Sequence, residues 1–279
     1  SPGEFCYFDS YQDAPDSQPE AIGGYLPLSK VYSFNPVPDT LSADKVQLVY
    51  GVQANLFTEY IPTPEHAEMM IYPRILALAE VAWSAPSVKN YDDFHVRALK
   101  EVEALKAEGY HPFELKNEIG NRPGADQPVQ HLAVGKKVAY GPDAAYYPGY
   151  SAGGDSALVD GVIGGWTYGD RRWQGFIDKK RMDVTIDMEK ETEIHSVGAD
   201  FMQVCGPEVF MPSEVIISVS NDGKEFTELK RMEHKVVKDD KVTFINFGWE
   251  GNAKARYIRY QASSGEFGGF LFTDEIVVK

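Results

Sequence analysis

Two apolar runs in the first half end in side chains able to do chemistry. Phe5-Cys6-Tyr7-Phe8 leads into Asp9, and residues 47–57 lead through Phe57 and Thr58 to Glu59. If the runs are strands of an α/β barrel, a phenol and two carboxylates stand at their C-terminal ends, where such folds carry functional groups. Solvated carboxylates capping a loop explain the same spacing equally well. Phe57, Trp83 and Tyr11 read either as core or as the wall of a sugar pocket, with core the default for large aromatic residues. Cys6 and Cys205 read as free buried thiols, and the six histidines show no metal-ligand spacing.

The elements around these residues follow from local pattern. The proline- and glycine-rich stretch 13–45 predicts a long connection with a short helix near Pro27–Tyr32. Thr63 as N-cap, Pro64 at the first helical position and Glu65 in the first turn predict a helix start. That helix runs to Trp83, with Pro73 kinking it. Phe94, Ala98, Leu99, Val102 and Leu105 fall on one face of a second helix over residues 92–108, stopped by Gly109. Strand, loop, strand, helix, helix is the closing part of an α/β unit. A whole (β/α)₈ barrel takes roughly 250 residues, so residues 1–116 are read as a C-terminal barrel portion and 117–128 as a linker. Residues 129–279 change character. Short alternating runs near 129–134, 183–188, 193–204, 214–219, 242–247, 255–262 and 270–278, with a hairpin turn at Asn221-Asp222-Gly223-Lys224, predict an all-β sandwich.

The 279 residues carry 27 Lys+Arg against 42 Asp+Glu, a formal charge of −15. Both halves are acidic, which argues against nucleic acid and anionic lipid. No apolar run reaches the ~18 residues of a membrane span. The chain opens on Ser inside an apolar run, without a secretory signal pattern, and is read as the end of a longer protein.

Residues 1–115 resemble the C-terminal part of the catalytic domain of bacterial β-N-acetylhexosaminidases of glycoside hydrolase family 20. The resemblance rests on Cys-Tyr-Phe-Asp-Ser-Tyr-Gln (6–12), Ile-Gly-Gly-Tyr-Leu-Pro-Leu-Ser-Lys-Val-Tyr (22–32), Gly-Val-Gln-Ala-Asn-Leu-Phe-Thr-Glu-Tyr (51–60) and Tyr-Pro-Arg-Ile-Leu-Ala-Leu-Ala-Glu-Val-Ala-Trp (72–83). It implies an exo-glycosidase that removes terminal N-acetylhexosamine with retention, using the substrate's own acetamido carbonyl as nucleophile. Tyr7 then matches the tyrosine that positions that carbonyl, and Asp9 and Glu59 the carboxylates that grip sugar hydroxyls. Phe57 stands where the family usually has a pocket-wall Trp. The family's acid/base is a Glu in a His-x-Gly-Gly-Asp-Glu context, and no position here supplies it. Asp274-Glu275, the one Asp-Glu pair, lies near the C-terminus without that context. The expectation is a hexosaminidase segment, inactive alone, whose partner is the missing N-terminal part of the barrel.

Residues 129–279 resemble the discoidin-like, coagulation-factor type C sandwich that includes carbohydrate-binding module family 32. The supporting residues are Ala-Leu-Val-Asp-Gly (157–161), Arg-Trp-Gln-Gly-Phe (172–176), Pro-Ser-Glu-Val-Ile-Ile-Ser-Val-Ser-Asn-Asp-Gly (212–223), Ala-Arg-Tyr-Ile-Arg (255–259) and Phe-Thr-Asp-Glu-Ile (272–276). The resemblance places Trp166, Tyr168, Arg171 and Phe267 in sugar-binding loops, and Trp173 and Phe272 in the core. It places Asp160 and Glu275 where such modules often hold structural Ca²⁺; a side chain capping its own turn is the alternative. No cofactor is expected for catalysis. Expected partners are N-acetylhexosamine-containing glycans, and the expected location is the periplasm, the cell surface or outside the cell. The alternative reading is a non-catalytic carbohydrate-binding protein acting through the sandwich.

Overall fold

The computed structural model describes residues 1–38, 40–142, 144, 146–177 and 182–279. The chain forms two compact units, Ser1–Gly120 and Asn121–Lys279.

The first unit is built from helices: α1 (Gly3–Cys6), α2 (Leu28–Tyr32), α3 (Pro64–Ile71), α4 (Arg74–Trp83) and α5 (Tyr91–Ala107). Thr63 caps α3 by accepting the His66 N–H at 3.2 Å, and Pro73 separates α3 from α4. Asn90 caps α5 through the Asp93 N–H at 3.1 Å. Phe94, Ala98 and Val102, spaced by one helical turn, bury one face of α5 against Leu78, Val81, Val31 and Leu115. Gly109 takes φ +91° and lets the chain leave the helix.

The two buried strands expected here do not form. Residues 3–6 make a helical turn, Val46–Leu48 a 3₁₀ turn, and among the described residues of this unit parallel pairing is limited to the isolated bridges Tyr7↔Asn55 and Tyr11↔Tyr25. A parallel strand is stabilised by ladders on its flanks and by helices covering both faces. Residues 47–57 have one bridge and little cover, so Leu48 and Tyr50 are 62% and 94% exposed.

The second unit contains seven strands among the described residues: β1 (Lys137–Tyr140), β2 (Gln174–Ile177), β3 (Met182–Gln203), β4 (Glu214–Ser220), β5 (Thr227–Glu233), β6 (Thr243–Ser263) and β7 (Phe270–Val278). Their order is β2-β7-β3-β6-β4-β5, with β1 on β3 and every pairing antiparallel. Register shifts between Asp187 and Thr192 and between Ile194 and Ser196 interrupt the long β3–β6 ladder. On one side of them β3 pairs β1 and β6 pairs β4; on the other β3 pairs β7. Two strands thus serve both layers of a sandwich. Bulges bend strands in this way.

Val184, Ile186, Val215, Ile217, Ile258 and Tyr260 of one layer meet Val197, Ala199, Phe201, Leu271 and Ile276 of the other in the main core. A second cluster forms around Trp173, Met202, Val209 and Phe272. Because side chains alternate along a strand, Phe201 joins the first cluster and Met202 the second.

The predicted hairpin joins β4 to β5. Asp222 Oδ1 accepts the Lys224 and Glu225 N–H groups at 2.8 and 3.0 Å, and Gly223 takes φ +71°. The expected strand at 129–134 is a turn instead, tied by Val129 N–H to the Gly161 carbonyl and by Leu132 N–H to that of Val278, both at 2.8 Å. Residues 117–128 divide between the units. Asp13 accepts the Ile119 and Gly120 N–H groups at 2.7 and 2.8 Å in the first, whereas Arg122 is buried in the second.

Candidate functional site

The Tyr7↔Asn55 bridge brings the two halves of the first site together. Phe8 N–H donates to the Asn55 carbonyl and Asn55 N–H to that of Cys6, both at 2.8 Å. Two residues further on, Asp9 is buried, and its carboxylate accepts the Phe57 N–H at 2.9 Å and the Thr58 N–H at 2.8 Å. Thr58 sits at φ +61° and turns the chain so that Phe57 and Glu59 are exposed. The Tyr7 and Phe57 ring centroids are 5.9 Å apart, inclined at 41°. Burial raises the Tyr7 phenol above its ordinary pKa, and the Asp9 and Glu59 carboxylates raise it further. Tyr7 therefore stays a neutral hydrogen-bond donor.

Beneath this group lies Arg74, fully buried. Its guanidinium donates to the carbonyls of Phe8, Ser10, Leu26 and Met70, and sits 4.8 Å over the Phe8 ring. It fixes the backbone on both sides of Asp9. The structure thus gathers Tyr7, Asp9, Phe57 and Glu59 and shows Asp9 shaping the site through backbone N–H groups. Trp83 is not core: it is 91% exposed. Tyr11 is core, its hydroxyl accepting the Ala21 N–H at 3.1 Å.

In the second unit, Trp166, Tyr168 and Arg171 ride on one loop. Asp170 ties its ends, accepting the Gly165 N–H at 2.6 Å and the Arg172 N–H at 2.8 Å. Burial raises the Asp170 carboxyl pKa, partly offset by those N–H groups. Tyr168 stacks on Phe272 at 4.7 Å, and Trp166 meets Phe244 edge-on at 5.6 Å. Arg171 is exposed at φ +66°. Phe267 lies instead against Phe210 at 5.5 Å, with Lys238 Nζ 4.4 Å over its ring. Trp173 and Phe272 are both 1% exposed, in the core.

Asp274 and Glu275 are both buried within this unit. Asp274 pairs with Arg122 at 2.7 Å, and burial pushes its carboxyl up to about 6 despite that partner. Glu275 Oε1 accepts the Gly161 N–H at 2.8 Å and faces His131 Nε2 at 2.7 Å. Its buried Oε2 has no hydrogen-bond partner. Burial raises both the Asp160 and Glu275 carboxyls; backbone hydrogen bonding and Glu275 partly lower Asp160, while the Asp160 charge raises Glu275. Two carboxylates, one with a buried oxygen left without a partner, offer hard oxygen donors of the kind Ca²⁺ takes. Among the described residues no group of three or more metal-ligating side chains forms, so carbonyl or water oxygens would have to complete such a site.

Sequence reasoning missed Arg122, Asp200 and Phe244. Arg122 lies in a Pro/Gly-rich stretch, and nothing local signals that its side chain turns inward.

Residues 1–86 match the family description "Glycosyl hydrolase family 20, catalytic domain", and residues 143–276 match "F5/8 type C domain". The chain is 49% identical over 88 residues to a β-hexosaminidase of Porphyromonas gingivalis, covering 32% of this chain and 11% of that protein. It is 33% identical over 102 residues to a β-N-acetylhexosaminidase of Cellulomonas fimi, covering 37% of this chain and 20% of that protein. The chain thus spans a small part of these relatives' length. The chain is also similar to chitosan-binding module 1 from a chitosanase/glucanase of Paenibacillus sp. IK-5, with 16% identity and a TM-score of 0.37 over 54% of this chain and 99% of that one. The two matches divide the chain: residues 1–86 are similar to a family 20 catalytic domain, and residues 143–276 to an F5/8 type C domain. Among the described residues no helix is long and apolar enough to cross a membrane.

Proposed function

We propose that the first unit supplies terminal-sugar contacts to an exo-β-N-acetylhexosaminidase and that the second unit binds glycan. One observation carries the reading: Tyr7, Asp9, Phe57 and Glu59 converge across the Tyr7↔Asn55 bridge within sequence 49% identical to a β-hexosaminidase. In this proposal the Tyr7 hydroxyl donates to the substrate's acetamido carbonyl and holds it under the anomeric carbon. Glu59 accepts sugar hydroxyls, and Phe57 offers a ring face to pyranose C–H groups. Asp9, whose oxygens already hold the Phe57 and Thr58 N–H groups, keeps the two segments in register and offers its remaining acceptor capacity to the sugar. The proton for the leaving oxygen must come from outside this chain, since its one Asp-Glu pair is buried in the sandwich. A general acid contributes roughly 10²–10⁴ in rate.

Trp166, Tyr168 and Arg171 supply the proposed glycan contacts of the sandwich. Asp160 and Glu275 would hold Ca²⁺ there, which neutralises the buried Glu275 together with the exposed Asp160 and braces the turn at Gly161. Action outside the cytoplasm, on periplasmic or extracellular N-acetylhexosamine-containing glycans, is part of the same proposal.

The test uses 4-nitrophenyl N-acetyl-β-D-glucosaminide and titration calorimetry with N-acetylglucosamine and N-acetylgalactosamine. The chain alone is expected to bind sugar without turnover. Turnover by this chain alone would overturn the assignment of the acid to another polypeptide segment. With a polypeptide carrying the Asp-Glu motif and the other barrel strands added, turnover is expected, and Tyr7→Phe should lower kcat more than it raises KM. The missing acid motif also favours a second reading for the chain by itself: a carbohydrate-binding protein acting through residues 121–279.

A further inference from the structure

We propose that Arg122 is the positioning residue of the 164–172 loop, so that residues 121–126 are part of the glycan-binding apparatus and not a passive connection. The proposal rests on the reading that Trp166, Tyr168 and Arg171 contact sugar.

Arg122 is 6% exposed. Its guanidinium carbon lies 4.9 Å from the Trp173 ring and 4.9 Å from that of Phe244, and the two rings, 5.7 Å apart, are neighbours that it contacts together. One nitrogen donates to the Gly164 carbonyl at 2.8 Å and to Asp274 Oδ2 at 2.7 Å; another reaches Asp200. Asp274 Oδ2 also accepts the Gly164 N–H at 3.1 Å. Both backbone polar groups of Gly164 are therefore held by one ion pair. Gly164 can occupy this place because it lacks a side chain: a Cβ there would come within 2.3 Å of the Trp173 indole.

The loop's far end returns the contact. Arg172 donates to the Ala125 carbonyl at 2.6 Å, and Trp173 Nε1 donates to the Gly165 carbonyl at 3.1 Å. Two arginines thus cross between 121–126 and 164–172, closing the loop at its beginning and its end. The ring of Phe244 that stacks on Arg122 also carries Trp166 on its edge. Arg122 therefore sets both the loop backbone and the platform under its tryptophan. A lysine could keep the charge, but its compact ammonium lacks the planar fork that reaches three acceptors while contacting two aromatic rings.

The experiment compares the full chain with Arg122→Lys, Arg122→Met and Arg172→Met by amide hydrogen exchange, thermal unfolding and calorimetry with N-acetylglucosamine and N-acetylgalactosamine. In Arg122→Lys, exchange over 164–172 should rise about tenfold or more, while strands 183–188 and 255–262 and the unfolding midpoint of the second unit stay as they were. Sugar affinity should fall by a similar factor with stoichiometry unchanged. Arg172→Met should loosen the loop's C-terminal end with a smaller loss of affinity. Should Arg122→Met fail to fold, the lysine and Arg172 variants still decide the matter. Unchanged loop exchange in Arg122→Lys would overturn the proposal, and so would a loosened loop with undiminished affinity. If the unmodified chain took up neither sugar, the glycan reading itself would fall, while loop exchange would still show whether Arg122 holds the segment.

Discussion

Arg74 in the first unit and Arg122 in the second are both buried, yet they are solvated in opposite ways. Arg122 meets two carboxylates and two ring faces. Arg74 meets backbone carbonyls, and burial pushes its guanidinium down to about 9, with Asp9 pulling it back up. In the second unit a continuous antiparallel ladder satisfies the backbone, so a buried charge is free to organise a loop. In the first unit, where parallel pairing is reduced to isolated bridges, a side chain gathers backbone segments that a sheet would otherwise align. The carbonyl-solvated arginine is expected to mark the region that unfolds first. That half also exposes Leu48, Tyr50 and Trp83.

The largest test of this contrast is Arg74→Met. It would leave four carbonyls to find other donors, at about 1–3 kcal/mol for each one left buried and unpaired. Urea unfolding followed by circular dichroism should show the first unit's transition lost and the second's retained; one shared transition in the unaltered chain would break the comparison. Calcium comes next. At free Ca²⁺ about 100 times its dissociation constant, the second unit should gain about 2.7 kcal/mol, the first nothing, and Glu275→Gln should abolish the gain.

A pH effect separates the units again. Glu118 lies 3.8 Å from His95, and burial pushes its carboxyl up to about 7, with Asp13 adding to the rise. The folded first unit thus binds this proton more tightly than the unfolded chain does. The associated stability is complete below the ordinary Glu value and is lost as pH rises through about 7. Glu118→Gln should match the unaltered chain at pH 4 and exceed it at pH 8 in thermal unfolding. The smallest expected effect, about 1 kcal/mol, is that of Asn90→Ala, which removes the N-cap of α5; the second unit's midpoint should not move.

Much of the fold is legible in the order of residues. The Thr63-Pro64 start, the Phe94/Ala98/Val102 face and the Asn-Asp-Gly turn act within a few residues, so local chemistry specifies them. The first-half strands are not legible in the same way. The run 47–57 has strand-like composition, but composition cannot supply neighbours, and without them Tyr50 and Phe57 stay exposed. Strand β5, Thr-Glu-Leu-Lys-Arg-Met-Glu, escaped notice because it is a highly charged edge strand with little apolar signal.

Sequence was enough to specify where helices and tight turns begin and end, because caps, prolines and periodicity operate over one or two turns of chain. It was also enough to show that the Asp-Glu motif of the family's acid is absent. Folding in three dimensions set Asp9 to serve the backbone of Phe57 and Thr58, 48 and 49 residues away. It set Asp274 to answer Arg122 across 152 positions and bent β3 and β6 through both layers of the sandwich. Those outcomes depend on which distant groups share a dry interior, where an unpaired charge or carbonyl is too costly to leave.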